Sequence, residues 1–293
     1  IVSDGELMPG AQWFPQAKLN FAANLLKYKD EQTALVFCGE DGHRHQISYA
    51  QLYARVAQLT AGLKAYNIKP GDRIAGFMPN VIDAVAAMLA TASLGAVWSS
   101  CSPDFGINGV LDRFGQIKPR ILFTTDGYLY NGKRLNSLER VASIAKHLDS
   151  IEAIVVCDHI TNKADLSALN AMVPNKAMHW DDFVDVSANE IDFVDCNFSD
   201  PLYIMYSSGT TGIPKCIVHG AGGTLIQHLK EHKLHTDISR ADTLFYFTTC
   251  GWMMWNWLVS GLASAATLIL YDGAPIFPDM GRLWRLIEDE RIT

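Results

Sequence analysis

The sequence predicts an α/β fold in which parallel-rich sheets are layered with helices. Two observations carry this. From Arg73 to Cys157, short apolar runs alternate with helical patterns, the β-α-β rhythm that builds a parallel sheet covered on both faces. The runs are strand-length and bounded by Gly, Pro and Asp, which marks them as buried strands rather than helices.

Taken from the N-terminus, 12–26 mixes aromatics and Pro with a short helical pattern and reads as an arm packed across the domain. Residues 35–38 read as a strand and Asp41-Gly42 as a turn. Ser48 followed three residues later by Gln51 is a capping box, and Leu52, Val56, Leu59 and Leu63 continue at helical spacing. That helix is expected to stop near Asn67, before Lys69-Pro70-Gly71-Asp72. Strands are expected at 73–78, 96–99, 120–124 and 151–157, with helices at 81–94, 107–116 and 135–148 between them. The 81–94 helix is rich in Ala, which allows close packing. Residues 161–200 are more polar and irregular, and a subdomain boundary is placed there. Beyond it, 201–206, 216–219, 244–248 and 267–271 read as strands, and 222–235, 251–263 and 279–290 as helices.

The 293 residues carry a formal charge of −7. No basic excess exists to attract nucleic acid, so an anionic ligand must be met by local groups. The most apolar stretch, 84–98, is broken by Thr91, Ser93 and Gly95 and is shorter than the ~18 residues a membrane helix needs. No membrane partner is expected. Six cysteines stand far apart with no C-x-x-C, which speaks against a disulfide framework or a metal site. Scattered thiols suit a reducing cytoplasm. An Ile start without a signal-peptide pattern suggests a piece of a longer protein. Oligomeric state is not legible.

The stretch Tyr206-Ser207-Ser208-Gly209-Thr210-Thr211-Gly212-Ile213-Pro214-Lys215 joins two apolar runs. It packs four hydroxyls, two glycines and a lysine into one short loop. Glycine lets the backbone reach positive φ and approach a ligand, and successive N–H groups in such a turn can converge on an anion. Ser, Thr and Gly are also ordinary turn formers, and the spacing is not that of a Walker P-loop. With its flanking strands, however, the whole string resembles the phosphate loop of the adenylate-forming enzymes, the group of acyl-CoA synthetases, luciferases and peptide-synthetase adenylation domains. It departs from their pattern at Cys216, where most members carry Gly.

That resemblance runs from Trp13 to Gly273. With Ser99-Ser100-Cys101-Ser102-Pro103-Asp104-Phe105-Gly106 and Ile217-Val218-His219-Gly220, it points to the acetoacetate-activating branch of the family. It implies that Ser207, Ser208, Gly209, Thr210, Thr211, Gly212 and Lys215 hold ATP phosphates, with Mg2+ arriving as Mg-ATP and CoA as co-substrate. The acid would form an acyl-adenylate, and CoA would displace AMP. The turn Thr249-Cys250-Gly251-Trp252-Met253-Met254-Trp255-Asn256 stands where acetate-activating members carry D-x-G-W-x-x-G-H and line the acyl pocket. It departs at Thr249, Trp255 and Asn256. Trp252, Met253, Met254 and Asn256 are therefore the candidate acyl-pocket residues, although Trp and Met at helical spacing also serve as ordinary core. Asn256 either meets a β-keto oxygen or orients the aromatic cluster. Lys133 and Arg134 fall where relatives contact CoA phosphates, or form a solvated loop.

His228 and His232 are spaced i, i+4, yet no H-E-x-x-H and no further ligand set accompanies them or His43, His45 and His235. A structural role is expected, and no metal site is identified. The resemblance further implies that residues 1–293 are part of a large N-terminal domain. The remainder of that domain and a small C-terminal domain would lie outside, leaving this portion inactive alone. Three functions stay open: an acetoacetate-activating ligase, the same chemistry on acetate, propionate or another short acid, and a module that binds nucleotide or a partner without catalysis.

Overall fold

A computed structural model describes residues 1–174, 176–207 and 212–293. In chain order the main elements are β1 (Thr33–Gly39), β2 (Arg44–Ser48), α1 (Tyr49–Ala65), β3 (Arg73–Phe77), α2 (Ile82–Ser93) and β4 (Val97–Cys101). Next come α3 (Ile107–Ile117), β5 (Ile121–Thr125), β6 (Gly127–Tyr130), β7 (Lys133–Asn136), α4 (Leu138–Ala145), β8 (Ala153–Cys157) and β9 (Ala177–His179). The last group is β10 (Pro201–Ser207), β11 (Lys215–Gly220), α5 (Ala221–Lys230), β12 (Thr243–Phe245), α6 (Met253–Ser260), β13 (Thr267–Asp272) and α7 (Arg282–Asp289).

Two sheets result. The larger has the order β9-β8-β5-β3-β4-β10-β11, parallel throughout except for the antiparallel edge strand β11. The smaller runs β12-β13-β1-β2, with only β2 antiparallel. The alternation of side chains along a strand divides the core. Ile74, Trp98, Ile121 and Phe123 join one cluster with α1, α2 and the inner face of the smaller sheet. Ala75, Phe77, Val97 and Leu122 face α3 and α4 on the other side. Val36, Cys38, Ile269 and Tyr271 of the smaller sheet pack on Leu286 of α7. Helices therefore cover both faces of both sheets, and α1 and α2 form the central layer. A Cβ at Gly76 would stand 2.6 Å from Trp98 Cζ2, so the indole fits only because that position has no side chain.

Local sequence accounts for the central layer. Every residue of α2 except Asp83 is buried, as expected for a helix that is apolar all round. Asp83 accepts from Arg55 Nε of α1 at 2.7 Å. Ser48 caps α1 reciprocally with Gln51: Gln51 N donates to Ser48 Oγ at 3.1 Å and Ser48 N to Gln51 Oε1 at 2.8 Å. Ser48→Ala is expected to destabilise the protein by ~1 kcal/mol without changing substrate KM. Thermal unfolding alongside steady-state kinetics checks this, and a large KM change would contradict a purely structural role. The N-terminal arm is anchored by Asn20, whose Nδ2 donates to the carbonyls of Ala92, Ser93 and Val194 at 2.9–3.1 Å.

Several boundaries differ from expectation. The helix expected at 135–148 starts at Leu138 and ends at Ala145, and Leu135 lies in β7. The hairpin β6–β7 preceding it is set by Asn131 and Gly132, with φ of 52° and 74°. Two consecutive positive φ values are what a two-residue hairpin turn with matching twist requires. Asn136 Oδ1 then accepts from Leu138 N at 2.8 Å and opens the helix. β2 follows the Asp41-Gly42 turn and is added to the reading. β12 stops at Phe245, since Tyr246 and Phe247 turn outward. The helix after β11 ends as α at Lys230 and passes into a π-turn, Glu231–His235. The stretch 161–200 supplies edge strand β9 and the short helices Ser167–Met172 and Trp180–Phe183.

Candidate active site

Ligands of open α/β sheets bind outside the carboxyl ends of parallel strands, and Ser207, Lys215 and the Trp252–Asn256 turn lie at that edge. Ser207 ends β10 and stands opposite Lys215, which opens β11. Lys215 is exposed, and Gly212 has φ +122° with open space where a Cβ would sit. Ser208, Gly209, Thr210 and Thr211 lie outside the described residues. The base of the loop is held by α3: Gln116 Nε2 donates to Pro214 O at 2.8 Å. Behind it, the Tyr206 and Ser99 hydroxyls lie 3.0 Å apart, and Arg113 lies over the rings of Phe105 and Tyr206.

The aromatic turn docks on the same edge. Ser100 Oγ donates to Cys250 O at 2.6 Å, and Trp255 Nε1 to Asn80 Oδ1 at 2.9 Å. These contacts fix the turn to the ends of β3 and β4. The structure separates the roles that the sequence left mixed. Trp255 is fully buried core, whereas Trp252 and Met253 are exposed. Met253 and Trp257 line a cleft of about 420 Å³ together with Val218, His219 and Thr224. Met254 packs partly buried against the main core. Asn256 is buried, with Nδ2 donating to Met205 Sδ at 3.1 Å and Oδ1 without a partner among the described residues. Met205 lies two residues before Ser207, so the phosphate-loop strand and the aromatic helix are in direct contact.

Lys133 and Arg134 lie apart from the loop, on β7. Both are exposed, and Arg134 Nη1 donates to Ile160 O at 3.0 Å. Their hairpin is held rigidly. Glu40 accepts from Asn131 N, Gly132 N and Ala274 N at 2.7–3.0 Å, and Asp272 accepts from Leu129 N at 3.1 Å. A second cleft, of about 270 Å³, runs between this hairpin and the turn, bordered by Asn80, Tyr128 and Thr249. Asn80 Nδ2 and Thr249 Oγ1 are buried there without partners among the described residues.

From the sequence, His228 and His232 are expected to be structural rather than metal ligands. Among the described residues no three His, Cys, Asp or Glu side chains are arranged to hold a metal. Both histidines are buried: His228, on α5, lines the larger cleft, and His232, in the π-turn that follows, packs on Trp257. Burial lowers the pKa of each to about 4, and for His228 the neighbouring His232 adds to the effect. Both are therefore neutral at physiological pH. His228 Nδ1 lies 2.5 Å from Ser260 Oγ of α6, a partner no spacing rule would have pointed to. All six cysteines are free, and only Cys216 is exposed.

A family model described as AMP-binding enzyme matches residues 21–293. Acetoacetyl-coenzyme A synthetase of Rhizobium meliloti is 50% identical over 99% of this chain and 44% of its own length. Malonamoyl-CoA synthetase of Penicillium aethiopicum is 45% identical over 94% of this chain and 40% of its own. The solved acetoacetyl-CoA synthetase from Streptomyces lividans superposes with a TM-score of 0.91 at 42% identity, covering 98% of this chain and 43% of that one. The chain thus spans less than half the length of the relatives it matches. With the family model covering nearly all of it, the chain belongs to the AMP-binding enzyme family.

Proposed function

We propose that the whole protein is an AMP-forming acid–thiol ligase that activates acetoacetate with ATP and transfers the acyl group to CoA. The observation that carries this reading is that Ser207 and Lys215, paired at the ends of β10 and β11, and the Trp252–Asn256 turn come together near the carboxyl ends of β4 and β10. The acid's carboxylate would attack the α-phosphate, and pyrophosphate would leave. Ser207, Ser208, Gly209, Thr210, Thr211, Gly212 and Lys215 would hold the departing β- and γ-phosphates, where charge grows as the bond breaks. Mg2+ would arrive as the nucleotide's counterion. In the second step Lys133 and Arg134 would bind CoA phosphates, and the 270 Å³ cleft would admit the thiol arm towards the acyl-adenylate. Residues 1–293 would then be part of a large N-terminal domain, with a subdomain boundary near 161–200. No described helix is long and apolar enough to cross a membrane, and a cytoplasmic location fits the buried thiols.

Asn256 and Met253 stand one turn apart on α6, and the buried Asn256 amide keeps Oδ1 without a partner among the described residues. A site that hydrogen-bonds a substrate group rejects analogues lacking it more strongly than an apolar pocket rejects a missing methylene. Full-length protein is therefore expected to prefer acetoacetate over butyrate in kcat/KM, and Asn256→Leu to narrow that preference. Equal use of the two acids by the wild type would sink the acetoacetate reading. A full preference retained by the variant would make Asn256 structural.

A further inference from the structure

Among the described residues, hairpin β6–β7 forms a two-stranded sheet of its own. Such a hairpin is marginal in water unless something else holds it. Glu40, the residue after β1, holds it from outside. Its side chain is buried, although the Asp41-Gly42 turn beside it is exposed. Oε1 accepts from Gly132 N at 2.7 Å, and Oε2 from Asn131 N at 3.0 Å and Ala274 N at 2.7 Å. Three donors converging on one side chain call for a carboxylate, which accepts at both oxygens. Gly273, at φ +137°, makes room for it, since a Cβ there would stand 2.4 Å from Glu40 Cβ.

The two donors on Oε2 come from different segments bordering the smaller cleft. Tyr128, Leu129 and Tyr130 of the hairpin line it, and so do Tyr271, Gly273 and Pro275 at the exit of β13. Glu40 does not line the cleft, yet it ties these two segments together. Asp272 repeats the tie: its Oδ2 accepts from Leu129 N at 3.1 Å, and its carbonyl from Glu40 N at 2.9 Å. The N–H groups of a surface turn can be left to water, whereas burying a carboxylate costs free energy unless it is fully paired. What the bridge fixes is a separation between two cleft segments. We propose that Glu40 is a positioning residue for the thiol-transfer step, setting the gap through which the thiol arm of CoA reaches the acyl-adenylate. The proposal rests on the ligase reading above and assigns a residue to its second half. In that step the thiol sulfur bonds to the acyl carbon, the bond from that carbon to the AMP phosphate oxygen breaks, AMP leaves with the electron pair, and the thiol proton passes to solvent. Among the described residues Glu40 makes no hydrogen bond to β10, β11 or the Trp252–Asn256 turn, so formation of the adenylate does not depend on it.

The test separates the two half-reactions of the full-length protein: ATP–pyrophosphate exchange without a thiol, and thioester formation with CoA or with pantetheine. Glu40→Ala is expected to leave acetoacetate-dependent pyrophosphate exchange unchanged and to lower kcat/KM for CoA by ~10²-fold, the cost of a reactant misplaced by about 1 Å. Pantetheine, which lacks the nucleotide phosphates, should lose as much, because the gap acts on the arm. Lys133→Ala, by contrast, is expected to raise KM for CoA and not for pantetheine. Glu40→Gln keeps one acceptor oxygen, which can still take both Asn131 N and Ala274 N, and should recover most of the loss. Amide hydrogen exchange at Asn131, Gly132 and Ala274 should quicken in Glu40→Ala. Pyrophosphate exchange falling in parallel with thioester formation overturns the proposal, since Glu40 would then support the fold as a whole. Wild-type kinetics with both thiols in Glu40→Ala overturn it as well, and the CoA reading survives if Lys133→Ala still raises KM for CoA. A wild type that exchanges pyrophosphate but forms no thioester brings down the ligase reading itself.

Discussion

Replacing Lys215 by Ala in the full-length protein is expected to slow acetoacetate-dependent ATP–pyrophosphate exchange by ~10²–10³-fold, the usual cost of one charge-stabilising donor in a transition state. Lys215 opens β11 beside Ser207, is exposed, and makes no side-chain hydrogen bond to the described residues. Its removal leaves the core untouched, so Tm should move little. Because pyrophosphate gains charge as it departs, the loss should fall mainly on kcat rather than on the KM for ATP. Unchanged exchange would remove Lys215 from the phosphate site. A parallel fall in Tm would mean that the residue supports the hairpin instead.

Trp255→Ala should produce the largest loss of stability, ~3–5 kcal/mol by comparison with other buried aromatic truncations. The indole is fully buried in the main core, and its Nε1 donates to Asn80 at 2.9 Å. Truncation leaves a cavity and strips Asn80 Oδ1 of its donor, on a residue whose Nδ2 already lacks a partner among the described residues. Trp255→Phe retains most of the apolar surface but not the hydrogen bond, so it should cost clearly less. Denaturant unfolding of the two variants checks both values. A loss below ~1 kcal/mol for Trp255→Ala would show that this ring is not core.

How much was legible depended on how far apart the deciding residues lie. Ser48 and Gln51 are three residues apart, and their capping box was readable because both hydrogen bonds close within one turn. The Ala-rich α2 and the buried strands were readable for the same reason: periodicity is local, and burial on every side leaves a continuous apolar run. The β6–β7 hairpin had its own local signal in Asn131-Gly132, but Leu135 also suited a helical pattern, and only backbone pairing resolved the choice. The resemblance carried the phosphate loop and the aromatic turn as strings, without the contact between Met205 and Asn256 that joins them.

The sequence by itself thus determined the α/β class, the family, and the stretches where chemistry gathers, since each is written in contiguous residues. Tertiary structure alone decided which members of the Trp252–Trp257 cluster are core and which line a cleft, because that depends on what β3, β4 and β11 place against them. It alone decided the state of His228 as well. Ser260 is 32 residues away along the chain and meets the ring only because α5 packs on α6. Where a proton resides is a property of that contact, since each hydroxyl and each ring nitrogen can be assigned only after its partners are known.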